Sequence, residues 1–260
     1  MLLNAVIFIL QEVLEAALLV ALLLAFSQIF STSRVWLISA LGLGFVSAAL
    51  YAFNIALVSQ WFEGVGQEVV NAVMHMILYL MLVFFIVLAM RPESTTNSKR
   101  LVLTMMLGVI VAVAREGSEI ILYIHGFITI PDLLLPVVLG SVIGAGIGIS
   151  VGVLFYYVLV NIDVKNGLRV GYVMTLFLAG SMVLQATQML IQADWIISQY
   201  PLWDTSSLLS ERSITGQLLY ALIGYEATPT PIQMMSYFCA LALMVVLSIV
   251  SRTRSKRPSK

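Results

Sequence analysis

Residues 101–126 read LVLTMMLGVIVAVAREGSEIILYIHG. The stretch is apolar for most of its length, but Arg115, Glu116, Ser118 and Glu119 stand well inside it. About 20 mostly apolar residues cross the hydrocarbon of a bilayer as a helix. Six further stretches have the same character: 3–28, 35–59, 68–90, 133–160, 168–192 and 232–250. The runs are long and lack strict two-residue alternation, so membrane strands are excluded. Composition agrees. Of 260 residues, 61% are hydrophobic and only 10% charged, against roughly 25% charged in a soluble domain. Mean hydropathy is +1.04. A water-facing surface cannot be built from that supply, so lipid is the solvent.

The expected fold is therefore an all-α polytopic membrane protein with seven transmembrane helices. The first span lacks a basic leader and carries two glutamates, so it reads as a retained helix. Basic residues set the orientation. With the C-terminus in the cytoplasm, Arg34, Arg91, Lys99, Arg100, Lys165, Arg169, Arg252, Arg254, Lys256, Arg257 and Lys260 fall inside, and Arg212 alone falls outside. The N-terminus is then outside. Formal net charge is zero, and the single cysteine, Cys239, excludes an intrachain disulfide. No feature points to nucleic acid.

Two motifs carry the chemistry. The first span holds Gln11-Glu12-Val13-Leu14-Glu15, and the fourth holds Arg115-Glu116-Gly117-Ser118-Glu119. In each, two glutamates three residues apart share a helical face. An ionised side chain at the bilayer centre costs ~2.5–3.5 kcal/mol on insertion scales. Acids there must meet one another, a counter-ion or a proton. A purely structural network could fix helix register, but a cation path explains why all of them are acids. Carboxylate oxygens favour a hard or borderline cation. Gln11 can hydrogen-bond Glu15 but cannot neutralise it.

The first and fourth spans start on opposite sides of the membrane. The chain thus divides into two inverted three-helix repeats, about 3–90 and about 101–192. An outer loop, 193–231, a last helix, 232–250, and a basic cytoplasmic tail, 251–260, follow. Inverted repeats place substrate at the midplane. Within the loop, Ile214 to Ile223 is too short to span and lies at the interface or re-enters. Small residues recur every fourth position at Ala40, Gly44, Ala48 and Ala52, and again at Gly140, Gly144, Gly148 and Gly152. They read as packing seams. Glu68, Asn71 and His75 share one face of the third span as a possible entry point, against an interfacial cluster wetted by headgroups. Gln185, Gln188 and Gln192 form a polar face on the sixth, lining the path or bonding other helices.

At these motifs the chain resembles the oxidase-dependent iron permeases, both bacterial EfeU-like and fungal high-affinity iron permease-like. Arg115-Glu116-Gly117-Ser118-Glu119 is similar to that family's R-E-G-x-E, and Glu12 and Glu15 followed by Ala16-Ala17-Leu18 are similar to its first copy. The run Gly216 to Pro231 resembles the segment before the family's last helix. Gln11 and Val13 depart from the family's arginine and glycine. The resemblance implies a permease, not an enzyme, that imports iron across the cytoplasmic (plasma) membrane. It implies Glu12, Glu15, Glu116 and Glu119 as iron ligands, with iron as transported substrate and no organic cofactor. It also implies an extracytoplasmic iron-oxidising or iron-delivering partner protein. Read from the residues alone, a transporter of another divalent cation, a proton-coupled carrier, and a metal-binding membrane sensor or scaffold stay open. A di-metal enzyme would need an E-x-x-H spacing that neither motif has.

Overall fold

A computed structural model describes residues 1–90, 95–211 and 213–255. Arg91, Arg212, Lys256, Arg257 and Lys260, and the Arg254 side chain, lie outside the described residues. Helices and their connections make up the described chain: α1 (Leu2–Ile29), α2 (Val35–Phe53), α3 (Ile55–Ser59), a short 3₁₀ turn (Trp61–Gly64), α4 (Gly66–Ala89), α5 (Thr95–His125), α6 (Pro131–Asn161), α7 (Val164–Gln192), α8 (Ile214–Ile223) and α9 (Pro231–Ser255). Seven of them, α1, α2, α4, α5, α6, α7 and α9, are long and apolar enough to cross a membrane.

The expected second span, 35–59, is broken. At Asn54 the side-chain amide bonds the Leu50 carbonyl at 2.7 Å, and the main-chain N–H is shared between the Leu50 and Tyr51 carbonyls. Asparagine competes with the helix ladder in this way. The chain therefore turns there, and α3 runs on as a separate short helix. The remaining spans start and stop within a few residues of the expected limits.

Helix pairing follows the small-residue stripes. α1 lies chiefly against α6, α2 against α5, and α4 against α7, with α9 on the outside of α7. Gly140, Gly144, Gly148 and Gly152 are all buried on α6. A Cβ placed on Gly144 would stand 2.5 Å from the Val6 carbonyl oxygen, and one on Gly152 2.7 Å from the Ala17 Cβ. On α2, Ala40, Gly44, Ala48 and Ala52 are buried likewise, and a Cβ on Gly44 would stand 2.7 Å from the Val113 Cβ. Lipid gives helices no hydrophobic reason to associate, so close backbone approach supplies the van der Waals contact that does. The motif-bearing helices are the innermost. Of their most apolar stretches 56% (α1) and 61% (α5) is buried, against 28–50% for the others.

The segment after α7 is folded back on itself. Leu202 N–H bonds the Pro229 carbonyl and Thr205 N–H the Ala227 carbonyl, each at 2.9 Å. The Tyr225 hydroxyl donates to the Leu209 carbonyl at 3.0 Å. Ser213 caps α8 by accepting from Gly216 N–H at 3.0 Å. Gly224, at φ 69, ends it in the left-handed conformation that favours glycine. α8 packs on α7 and α1, with Ala221 against Leu10, Leu14 and Leu18. In this loop, burial pushes the Glu226 carboxyl up to about 7. Nearby Glu211 adds to the rise, and the hydrogen bond with Gln233 opposes it.

Two outcomes follow. Gly144→Leu must push α1 and α6 apart, which overpacking places at ~1–3 kcal/mol, and should lower the melting temperature in detergent. Gly146→Leu, with nothing within 4 Å of its added Cβ, should not. The Glu226 carboxyl is favoured protonated in the folded loop, so its contribution is full below the usual carboxylate range and is lost as pH rises through about 7. Hydrogen-exchange protection of the 193–231 segment, taken relative to the base-catalysed rate of the free chain, should accordingly fall between pH 5 and 8, and Glu226→Gln should flatten that dependence.

Candidate cation site

Glu12 and Glu15 sit mid-way along α1, and Arg115, Glu116 and Glu119 sit in the second half of α5. The three-residue spacing turns each acid pair toward the other helix. Glu12, Glu15, Arg115 and Glu116 are each 3–4% exposed. All four acids surround one guanidinium. Arg115 Nη1 lies 3.5 Å from Glu15 and 3.8 Å from Glu12, and it also pairs with Glu116. Arg115 Nη2 lies 3.3 Å from Glu119. If all four acids were ionised, one cation would leave three negative charges uncompensated in a low-dielectric interior. Such a cluster must hold protons or a further cation.

Two polar atoms in it are spare. Glu12 Oε2 and Arg115 Nε are buried with no hydrogen-bond partner. Leaving a buried polar group unpaired costs ~1–3 kcal/mol, more for charged groups, and buried polar groups left so are rare. Among the described residues, no three His, Cys, Asp or Glu side chains already stand as a ligand set for a metal. The acids are gathered, but the arginine stands between them.

A polar line runs from the acids across α4. Asn71 donates to Glu119 at 3.1 Å and accepts from the Tyr51 hydroxyl at 3.4 Å. His75, fully buried, faces the Asn71 carbonyl through Nδ1 at 2.8 Å and the Gln185 side-chain oxygen through Nε2 at 2.6 Å. A neutral imidazole offers one donor and one acceptor, so a neutral ring satisfies only one of these two oxygens. Turning the Gln185 amide over would give His75 its second partner. It would also turn the amide oxygen, in place of the nitrogen, toward Glu15. Gln185 lies within reach of Glu15, so the line closes on the first motif.

The structure sorts the sequence candidates. Glu12, Glu15, Glu116, Glu119 and Arg115 come together. Asn71 joins them directly, and His75 joins through Gln185. Glu68 is half-buried and near the Tyr51 hydroxyl. Gln188 is half-buried with no hydrogen bond described, so the amide that reaches the centre is its neighbour one turn earlier, Gln185. Gln11 is not bonded to Glu15. It lines a cavity with Asn4, Glu211 and Gln217 instead. Tyr51 and Tyr220 were missed. Each senses the acids electrostatically, and only a tertiary contact places them there.

A bundle of membrane-length helices folded around buried acids is the build of a membrane permease for cations. The chain belongs to the iron permease FTR1 family, which matches residues 2–254. Iron is thus the transported substrate, and the protein is an iron permease of the membrane. No curated protein and no solved structure matches the chain significantly.

Removal of the central charge provides a test. Arg115→Leu leaves the acids facing one another, and breaking a buried pair in this way costs ~3–5 kcal/mol. The melting temperature in detergent should fall steeply at pH 8. It should recover in part at pH 5, where protonation relieves the repulsion.

Proposed function

We propose that this permease carries iron inward across the cytoplasmic (plasma) membrane, and that Glu12, Glu15, Glu116 and Glu119 bind the ion on its way. The observation that carries the reading is the convergence of the acids of α1 and α5 on the single Arg115 guanidinium. Arg115 holds the acids together while no iron is present. An arriving cation takes over that role and displaces the guanidinium, or protons, from the carboxylates. Asn71 steadies Glu119, and Gln185 ties Glu15 to His75 on α4.

The N-terminus lies outside and the C-terminus in the cytoplasm, because basic residues concentrate in the loops that this assignment puts inside. Residues 3–90 and 101–192 act as inverted repeats. The helix pairing supports this: exchanging the halves turns the α1–α6 contact into the α5–α2 contact and returns α4–α7 to itself. Rocking of one half against the other along the glycine seams then opens the site alternately to each side. Iron reaches the outer face from an extracytoplasmic iron-oxidising or iron-delivering protein, as the family resemblance implies. Gln11 and Val13 in the first motif favour a second reading, in which another divalent cation also passes.

Radiolabelled iron uptake into liposomes holding the purified protein tests the site. Glu12→Gln and Glu116→Gln keep side-chain volume and remove charge. Each should cut the initial rate at least about tenfold, the effect of roughly 1.4 kcal/mol. Wild-type rates in both variants would dismiss the assignment. Equal suppression of iron uptake by excess manganese or zinc would support the broader cation reading.

A further inference from the structure

A cavity of about 420 Å³ opens between the first turns of α1 and the start of α8, lined by Asn4, Ile7, Phe8, Gln11, Glu211 and Gln217. Its polar lining is mostly oxygen-bearing and carries one acid. Gln217 is 2% exposed, and its amide nitrogen reaches the Ile7 carbonyl at 3.4 Å. Its carbonyl oxygen is buried and has no hydrogen-bond partner. One Glu211 oxygen accepts from Ala227 N–H at 2.5 Å, and among the described residues no hydrogen bond to the other is seen.

Both walls lead to the acids. Gln11 and Glu15 share a face of α1 one turn apart, which is about 6 Å along the axis. On α8, Gln217 is followed one turn later by Tyr220, which lies within electrostatic reach of Glu15, Glu12 and Arg115. The cavity therefore lies one turn before Glu15 along α1, and α8 runs from it toward the cluster that α1 forms with α5.

We propose that this cavity is a vestibule site that receives a hydrated di- or trivalent metal cation before it reaches the carboxylates. The inference rests on the cation path proposed above. A water molecule takes about 30 Å³ of liquid volume, so a cavity of about 420 Å³ accommodates a metal ion with its first shell of water. Amide and carboxylate oxygens are hard donors suited to that shell. One negative charge attracts the ion without the grip that four acids would exert. Gln11 contributes a neutral donor where a basic side chain would repel the ion.

The test measures initial iron uptake against concentration in liposomes, with ferrous iron under reductant as the probe. Glu211→Gln removes the charge while keeping an acceptor for Ala227 N–H. It should raise the half-saturating concentration at least about fivefold, close to 1 kcal/mol, with the maximal rate unchanged. Gln217→Glu has the same shape and one more charge, and should lower that concentration. Unchanged half-saturation in both variants, or a fall in maximal rate alone, would overturn the vestibule. Manganese binding followed by electron paramagnetic resonance in a Glu116→Gln background separates the two ideas. A weak site that persists there and is lost on adding Glu211→Gln belongs to the vestibule. No residual site in that background counts against it. Wild-type iron uptake by Glu116→Gln alone would instead remove the central site and leave the vestibule standing.

Discussion

Acids inside hydrocarbon must be compensated locally, because no water is present to do it. In this bundle the fixed part of the compensation is one guanidinium. Arg115 reaches all four motif glutamates, two from its own helix and two from α1. Much else in the fold follows from that demand. α1 and α5 must be neighbours, both must be interior, and neither can turn about its axis without exposing an acid to lipid. A buried ion pair adds little net stability. Its value here is positional, since it holds two helices in one rotational setting.

Small residues meet the geometric side of the demand. α1 packs on α6 and α5 packs on α2, each through a stripe of glycines or alanines whose glycine positions leave no room for a Cβ. Both stripes meet the motifs at their non-acidic positions, Gly148 at Val13 and Ala48 at Gly117. They hold the outer faces of α1 and α5 so that the inner faces meet. Backbones in such close contact also slide more readily than interlocked large side chains, so the same seams that position the acids suit a relative movement of the two halves.

How legible all this was depends on the range of the information needed. Spans are local, and hydropathy over 20 or so residues identified all seven helices. The E-x-x-E spacing is local too, and it put both acid pairs on inward faces. What escaped needed a third dimension. The contact between His75 and Gln185 joins residues 110 positions apart, and three glutamines on one face gave no reason to prefer Gln185 over Gln188. Gln11 shares a helical face with Glu15, yet it turns into the cavity beside Glu211 and Gln217. The decisive neighbours belong to α8, a helix too short for hydropathy to place, and to the loop just before it. Asn54 escaped for another reason: a single side-chain hydrogen bond to Leu50 outweighs an otherwise apolar run.

A carrier has to release what it binds, and that favours gathered acids over a finished cage. Four carboxylates fixed around a vacant centre would repel one another when empty and hold a metal too firmly when full. With Arg115 among them, one of the four charges is compensated in the empty state and protons cover the rest, and the ion competes with the guanidinium and those protons for the same oxygens. Net affinity is then the difference between two large interactions. A small tilt of α1 against α5 changes both distances at once, and so can move that difference from capture to release. Glu12 Oε2, ion-paired at 3.8 Å but not hydrogen-bonded, and Arg115 Nε mark where that balance has slack: each has hydrogen-bonding capacity unused in this arrangement and available in another.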